Sequence, residues 1–341
     1  MMAVRFGNVR FDAASEETRE RGNSALFRRL FSEGGRVDSE LGTAFARGLE
    51  HQYAEVLREE RPPMNAFAHH TIVSDVPIGA ESHTVTMMTH RGRPTWYRGG
   101  RRSIPLADVD GRQETFPIRS AMIGVEYDFQ EQEAEAFARS NARVAIPVIR
   151  EKQAAARDGS EQLVNDCLYF GDAEVGLYGI LNHPWIPRRV LAAPWGGTAA
   201  QAKADTMEAL RRLFHSASEV SKQTFAPDTM ELSLGLFNFL SFTRESEANG
   251  DTMLQVLQRN LPGLRNVYAA HELDGRGPDG ADVILCYRRD RRSLSFEASR
   301  IGQMLPARNE GLAIMIPHVT TVGGVVSRYP LNNVIGYMKR A

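Results

Sequence analysis

The residues whose types could support catalysis lie in one short stretch near the middle of the chain. Asp172, Glu174 and His183 fall within a glycine-rich segment, and Cys167 lies just before it. An acid–base or thiol hydrolase needs such groups to converge in a cleft, with a base oriented by a third residue. This spacing supplies no such arrangement. We therefore interpret the two carboxylates as acceptors for turn amides and His183 as a turn residue, and we predict no catalytic residue.

Histidines elsewhere do not form a recognisable cofactor site. His69, His70, His83 and His90 match no zinc spacing and have no cysteine partner, so a surface or interface role is the simpler interpretation. The sequence contains no phosphate-binding GxxxxGK[ST] motif and no strand-GxGxxG-helix pattern. We predict neither a bound metal nor a cofactor.

A long helix is predicted to carry the glycine-rich segment. Apolar residues recur at steps of three and four between Val148 and Phe170, and Pro147 suits a first helical turn. At 1.5 Å per residue the helix would be about 36 Å long, which is longer than most helices of compact domains. We expect it to form the spine of a domain.

Tight turns are predicted directly after this helix. Gly171 stands where a left-handed C-terminal cap is expected, and Gly179, Asn182 and Pro184 favour turns. These four residues are therefore interpreted as the structural residues of a fixed corner.

Two stretches of the sequence resemble a known protein family. FGDAEVGLYGILNHP, residues 170–184, is similar to the FGD…GLLNHPNV segment of tailed-phage major capsid proteins with the Hong Kong 97-type fold. TVGGVVSRYP, residues 321–330, is similar to the TGGV…RYP ending of the same family. Ile180 replaces the first Leu of the motif, and Trp185-Ile186 stand in place of its Asn-Val. The resemblance extends more loosely over most of the chain.

This resemblance implies an α+β fold built from four parts. They are an N-terminal arm (1–37), a peripheral domain with the spine helix (38–70, 119–192 and 306–341), an extended loop (71–118) and an axial domain (193–305). The local patterns agree with this class, because strands and helices are mixed without regular βαβ alternation.

Local patterns also predict individual elements of the fold. A helix is expected from Asp38, and residues 198–220 form the clearest amphipathic helix. The run MELSLGLFNFLSF, from Met230, is predicted to be rich in β-structure, and Asp251 is expected to open a further helix. Gly323-Gly324 predicts a turn near the C-terminus.

Arginines are concentrated in the predicted extended loop, interleaved with Trp96 and Tyr97. Such a composition can bind single-stranded nucleic acid by stacking, but one cluster on a chain of net charge −1 gives little electrostatic attraction. The resemblance implies instead that this loop lies across the next subunit of a ring. The candidate inter-subunit residues are Arg91, Arg93, Arg98, Arg101 and Arg102.

Composition narrows the class of protein further. A chain of 341 residues with 42% apolar and 24% charged residues is ordinary for a folded protein, which excludes disordered and fibrous classes. The N-terminus has no apolar run of signal-peptide length, and the longest apolar stretch, LGLFNFLSF from Leu234, is far too short to span a membrane. Cys167 and Cys286 lie in apolar patterns, so we expect two buried thiols in a reducing compartment and no disulfide.

The 41 basic residues comprise four lysines and 37 arginines, and no lysine precedes Lys152. The family includes shells in which a lysine of the extended loop forms an isopeptide bond with an asparagine of another subunit. Here the arm and the loop lack that amine, so we expect a shell held by non-covalent contacts. The arm is short, and we expect it to be retained in the particle.

The resemblance implies a non-catalytic major capsid protein that assembles into hexamers and pentamers of an icosahedral head. The expected partners are other copies of the chain, decoration, portal and scaffolding proteins, and packaged double-stranded DNA contacted non-specifically, with no membrane. The expected location is the virion capsid, after assembly in the host cytoplasm. An encapsulin-type protein compartment and a soluble metabolic enzyme remain as alternatives.

Overall fold

A computed structural model describes residues 61–94, 96, 106–141, 148–222, 224, 226–245 and 250–341. The predicted N-terminal arm, the helix expected from Asp38, and Arg98, Arg101 and Arg102 lie outside these residues. The chain divides into two compact units, Met1–Glu59 with Asp128–Val148, and Glu60–Tyr127 with Ile149–Ala341. The second unit contains both large sheets.

The helices and strands are numbered in chain order. The helices are α1 (Asn65–His69), α2 (Phe129–Asn141), α3 (Val148–Tyr169), α4 (Ala200–Val220), α5 (Leu234–Phe242) and α6 (Met253–Asn260). The strands are β1 (Ile72–Val73), β2 (Ser82–Arg91), β3 (Asp108–Pro117), β4 (Arg119–Asp128), β5 (Gly171–Asp172), β6 (Leu177–Tyr178), β7 (Arg188–Val190), β8 (Thr229–Ser233), β9 (Asn266–Ala270), β10 (Asp282–Tyr287), β11 (Leu294–Met304), β12 (Arg308–Glu310), β13 (Ala313–Ser327) and β14 (Val334–Met338).

Two five-stranded mixed sheets organise the second unit. One has the order β1-β11-β13-β12, with β4 also paired to β13, and the other has the order β7-β14-β10-β8-β9. Parallel pairs such as β8 with β9 occur beside antiparallel pairs such as β10 with β14. This mixture of helices and mixed sheets confirms the predicted α+β class.

Side chains on opposite faces of the second sheet enter different cores. Along β10, Val283 and Leu285 pack in a core that includes α3, whereas Ile284 and Cys286 pack in a core that includes α4 and α6. This alternation is the period of a strand, and a strand with apolar residues in both registers must be covered on both faces. The second sheet is therefore central to its unit.

The predicted spine helix and amphipathic helix are confirmed as α3 and α4. The prediction of β-structure for the run from Met230 is wrong beyond β8, because residues 234–242 form helix α5. Ser233 ends the strand and caps the helix, since its side chain accepts a hydrogen bond from the amide of Leu236. Leu236 and Leu240, four positions apart, then share the buried face.

Two other local predictions are also corrected. Thr252, not Asp251, caps α6, because its side chain and that of Gln255 form a reciprocal capping box. The turn predicted at Gly323-Gly324 is a bulge inside the continuous strand β13: Gly324 has a φ of +73°, and the pairing with β11 shifts register beside it.

Strand pairing also crosses the predicted boundary between the peripheral and axial domains. β11, predicted within the axial segment, pairs with β13 of the first sheet. β14, predicted within the peripheral segment, pairs with β10 of the second sheet. Among the described helices, none is both long enough and apolar enough to cross a membrane.

Candidate assembly interface

The predicted extended loop contains a long antiparallel hairpin. β2 and β3 pair in unbroken register, from Ser82 opposite Pro117 to Arg91 opposite Asp108. Among the described strands these two pair only with each other. An isolated two-stranded hairpin is marginally stable in water, so its faces need other support.

The half of the hairpin nearest the sheets has an inner face and an outer face. Directly opposite residues of an antiparallel pair share a face, which places His83 with Phe116 and Met87 with Arg112. Phe116 is buried, and His83 and Met87 are partly buried, whereas the intervening Thr84 is exposed. The inner face of this half therefore packs on the same subunit.

The far half of the hairpin exposes apolar side chains. Met88 is 69% exposed, and Val109 and Leu106 are also exposed. Beyond β2, Trp96 is 92% exposed. Met88 and Val109 lie on the same face of the hairpin, and exposed apolar groups that are neighbours in this way mark interaction surfaces in soluble proteins.

The structure describes two of the five candidate inter-subunit arginines. Arg91 forms an ion pair within the chain, with its Nε 2.8 Å from Oδ2 of Asp110 on the opposite strand. Both side chains are largely exposed, so this pair contributes little to stability. Arg93 is also exposed.

The glycine corner follows α3 directly. Gly171 has a φ of +67°, and a Cβ at this position would lie 2.6 Å from the carbonyl oxygen of Leu177. Gly179 is not in the left-handed region, but a Cβ there would lie 2.7 Å from the carbonyl carbon of Phe170. The amide of Gly179 donates to Oδ1 of Asn182 at 2.7 Å. Close backbone approach is thus what requires glycine at Gly179.

The residues that could have supported catalysis serve this corner separately. Oδ1 of Asp172 accepts a hydrogen bond from the amide of Glu174 at 2.9 Å, as predicted for a turn carboxylate. His183 is fully buried, unlike an ordinary turn residue, and its Nδ1 accepts from the amide of Trp185 at 3.3 Å. Burial, with a smaller contribution from the charge of Arg188, lowers the pKa of His183 to about 4.

The thiol of Cys167 is also far from reactive. Burial, reinforced by the nearby charges of Asp172 and Asp166, raises its pKa to about 11. A thiol with such a pKa stays protonated at neutral pH and is a poor nucleophile. Within the described residues the structure does not bring this thiol and His183 into a hydrogen-bonded pair.

Two of the four histidines considered as ligands instead surround a buried carboxylate that the sequence did not reveal. Nδ1 of His69 lies 2.7 Å from Oε1 of Glu231, and Nε2 of His70 lies 2.9 Å from its Oε2. The hydroxyl of Tyr169 donates to Oε1 of Glu231 at 2.6 Å. Burial alone would raise the pKa of this carboxyl, but the charge of His70 and the hydrogen bond with His69 outweigh burial and lower the pKa.

A second buried network joins α1 to α3. Nδ2 of Asn65 donates to Oε2 of Glu272 at 2.8 Å, and Nδ2 of Asn165 donates to Oε1 of the same carboxylate at 3.0 Å. Oδ1 of Asn165 in turn accepts from the amide of Ala66 at 3.0 Å. The segment that precedes the hairpin is therefore anchored by buried polar contacts.

The remaining two histidines lie on the hairpin. Nδ1 of His83 is 2.7 Å from Oε2 of Glu297, and His90 is exposed near the end of β2. The described part of the chain contains no group of three or more His, Cys, Asp or Glu residues placed to hold a metal ion.

Comparison with known proteins gives one family and a common fold. The sequence model of a family described as "Major capsid protein" matches residues 92–338. No curated protein matches the sequence. A solved structure titled as the capsid of Myoviridae phage XM1 has a TM-score of 0.71 at 15% identity, covering 90% of this chain and 100% of that one.

Two further solved structures are similar at lower scores. A chain from Gordonia phage Cozz has a TM-score of 0.56 at 13% identity, covering 85% of this chain and 91% of its own. A chain from the capsid of a native GTA particle has a TM-score of 0.55 at 11% identity, covering 90% and 100%. At these identities the likeness concerns the fold.

Proposed function

Because this chain belongs to the family of major capsid proteins, we propose that its hairpin joins neighbouring subunits of an icosahedral phage head. The predicted family and the Hong Kong 97-type fold are confirmed. The protein is a shell-forming structural protein, and its place is the capsid of the virion. The encapsulin-type alternative is not favoured.

The exposed far half of the hairpin carries this proposal. Met88 and Val109 expose apolar surface on a strand pair that has no third strand among the described residues. Such a hairpin gains stability when a neighbouring subunit covers it. The candidate residues Arg91, Arg93, Arg98, Arg101 and Arg102 then form charge-assisted pairs with carboxylates of that neighbour, because guanidinium groups bind carboxylates through a fixed fork.

The finer organisation of the particle follows from the same proposal. Subunits form hexamers and pentamers. Each part of the chain has the role that the family resemblance implies: the peripheral domain is formed by 38–70, 119–192 and 306–341, the extended loop by 71–118 and the axial domain by 193–305. The N-terminal segment 1–37 acts as an arm on a neighbour. The shell forms in the host cytoplasm with portal, scaffolding and decoration proteins, encloses double-stranded DNA contacted non-specifically, and carries out no catalysis.

A test of the proposal compares two triple variants of the loop. Replacing Arg98, Arg101 and Arg102 by alanine removes the charges, whereas replacing all three by lysine keeps the charges and removes the forked geometry. We expect the wild type to form round shells in negative-stain microscopy and the alanine variant to remain as folded, unassembled subunits in sedimentation velocity. The lysine variant should assemble to an intermediate extent.

Circular dichroism of the unassembled material establishes whether each variant is folded. Normal shells from the alanine variant at moderate salt would contradict the role given to these arginines. Absence of shells from the wild type, in the presence of a coexpressed scaffolding protein, would contradict the proposed function as a whole.

A further inference from the structure

We infer that the hairpin packs on a fixed support within its own subunit, which is formed by Trp185 of the glycine corner and Glu297 of β11 and is called the seat below. This seat sets the angle between the hairpin and the rest of the subunit, and so the direction in which the far half projects. The inference rests on the proposed function in one respect, because the far half of the hairpin is taken to be the surface that contacts a neighbouring subunit. The seat itself is a property of the single subunit.

Trp185 supports the β3 side of the hairpin. The rings of Phe116 and Trp185 meet edge to face, with centroids 6.0 Å apart and an interplanar angle of 79°. The guanidinium carbon of Arg112 lies 5.5 Å from the centroid of the Trp185 ring. Both geometries are attractive for an aromatic ring, whose face is electron-rich and whose edge is electron-poor.

Contacts behind the Trp185 ring hold it in place. The buried ring of His183 packs against it edge to face at 5.3 Å, and the amide of Trp185 donates to Nδ1 of the same histidine. On the hairpin, Nη2 of the largely exposed Arg112 is 2.6 Å from Oε1 of the buried Glu114, and this contact orients the guanidinium toward the ring. The ring therefore lies between the corner and the hairpin and contacts both.

Glu297 supports the β2 side of the hairpin. Its carboxylate is buried in the first sheet, and its Oε2 lies 2.7 Å from Nδ1 of His83. The other oxygen, Oε1, accepts from Nη2 of Arg328 at 3.3 Å, and Nη1 of Arg328 donates to Oγ of Ser295 at 2.7 Å. The acceptor for His83 is thus oriented by a second contact within the sheet.

The two supports act on different strands of the hairpin. His83 and Phe116 are directly opposite each other, so the seat holds both strands at the same level. Between β3 and β4, the amide of Ile118 donates to the carbonyl oxygen of Glu81 at 2.9 Å, and Nε of Arg119 donates to the carbonyl oxygen of Val175 at 3.2 Å. A hairpin supported on both strands and closed at its base cannot pivot without breaking these contacts.

Trp185 distinguishes this chain from the motif that it otherwise resembles, in which an asparagine follows the proline. An asparagine side chain has no ring to pack on Phe116 or to lie under Arg112. We therefore assign Trp185 as a positioning residue for assembly.

Spin-label distance measurements test the seat directly. Cysteines introduced at Thr86, on the outer face of the hairpin, and at Ala204, on the exposed side of α4, can be labelled selectively because both native thiols are buried. The measurement is made on unassembled subunits, because a neighbour that covers the hairpin in a shell would narrow the distribution by itself. The distance distribution reports whether the hairpin has one orientation.

We expect a narrow distribution for the wild type and loss of the narrow peak in Trp185→Ala. Trp185→Phe, which keeps a ring, should restore the peak. His83→Ala removes the contact with Glu297 that supports β2, and it should also broaden the distribution. Phe242→Ala is the matched control, since it removes an exposed aromatic side chain on α5 and should leave the peak unchanged. Circular dichroism identifies any variant that fails to fold.

The outcomes separate the seat from the proposed function. A narrow peak in both folded Trp185→Ala and folded His83→Ala would overturn the seat, whether or not shells form. Loss of the peak in these variants, with wild-type chains that never form shells, would support the seat and contradict the proposed function. Shells of normal size and yield from a folded Trp185→Ala protein with a broadened distribution would show that the seat does not position the hairpin for assembly.

Discussion

At the scale of single residues, the buried carboxylate of Glu231 depends on partners from other parts of the chain. Glu231 is fully buried, and its two oxygens are shared by His69, His70 and Tyr169. A buried carboxylate that loses such partners is left as an uncompensated charge, which is strongly destabilising. These contacts join residues far apart in sequence, so spacing alone could not predict them. What the sequence did show was the lack of any metal-ligand pattern.

The buried imidazole of His183 predicts a pH dependence of stability. Its pKa is about 4 in the folded protein, so between about pH 6.5 and pH 4 the unfolded chain binds more protons than the folded one. The free energy of unfolding should therefore fall as the pH falls through this window, by about 1.4 kcal/mol per pH unit at most. Full stability from this group is present above about pH 6.5.

Urea unfolding of the subunit between about pH 7 and pH 5 checks this prediction. His183→Gln should lower stability at both pH values but show a smaller fall between them than the wild type. His215, an exposed histidine on α4, is the control, because His215→Gln should keep the wild-type fall. An equal fall in wild type and His183→Gln would show that His183 does not titrate on unfolding.

Gly179 predicts a steric effect at the corner. A Cβ there would lie 2.7 Å from the carbonyl carbon of Phe170 and 2.9 Å from the carbonyl oxygen of Cys167, which are backbone atoms that cannot move aside cheaply. We expect Gly179→Ala to lower the free energy of unfolding by about 1–3 kcal/mol, the usual range for forced overpacking. Gly111→Ala on the hairpin is the control, since a Cβ there meets nothing within 4 Å. Equal stabilities for these two variants in urea unfolding would refute the steric argument.

At the scale of elements, periodicity predicted the long helices and failed for a short apolar one. α3 and α4 each extend over several turns, so their apolar stripes are unambiguous. The nine residues of α5 are apolar almost throughout, and a short apolar run of this kind is equally typical of a buried strand and of a buried helix. The packing of the hairpin's inner face on the glycine corner could not be predicted from periodicity, because it depends on tertiary contacts between residues far apart in sequence.

The start of α6 provides a test at this scale. Thr252 and Gln255 form a capping box, whereas Asp251, the cap suggested by sequence, instead pairs with Arg259 on the surface. We expect Thr252→Ala to cost about 1 kcal/mol in the free energy of unfolding, as for other lost N-caps. Asp251→Ala should cost less than about 0.5 kcal/mol, because exposed ion pairs contribute little. If chemical denaturation showed a larger loss of stability for Asp251→Ala than for Thr252→Ala, Asp251 would be the residue that caps the helix.

At the scale of the whole molecule, the family could be recognised from two short motifs, whereas the division of the chain between sheets could not. β11 pairs with β13 and β14 pairs with β10, so both pairings join segments that the sequence analysis assigned to different domains. Strand order depends on long-range pairing, and neighbouring strands of a sheet can come from any part of the chain. Motifs of turn residues, in contrast, can be recognised from the sequence because they depend on the local backbone conformation, such as the positive φ of Gly171.

The lysine distribution predicts how the assembled shell is locked. No lysine precedes Lys152, so the N-terminal arm and the extended loop lack a lysine side-chain amine, and arginine cannot replace it because its guanidinium stays protonated. Disulfides are equally unsupported, since Cys167 and Cys286 are free and buried, and burial raises the pKa of both thiols. We therefore expect non-covalent contacts alone to hold the shell: hairpin on neighbour, arm on neighbour, and a separate decoration protein.

Denaturing electrophoresis of purified particles checks this prediction. After boiling in detergent and reductant, the capsid protein should run as a single band near the chain mass of 38.0 kDa. Introducing a lysine into the loop, for example Arg98→Lys, is a useful control, because a lone amine without an activated partner should leave that band unchanged. A ladder of multiples that survives boiling would mean that a covalent bond forms from groups other than loop lysines, and the non-covalent account of the shell would have to be abandoned.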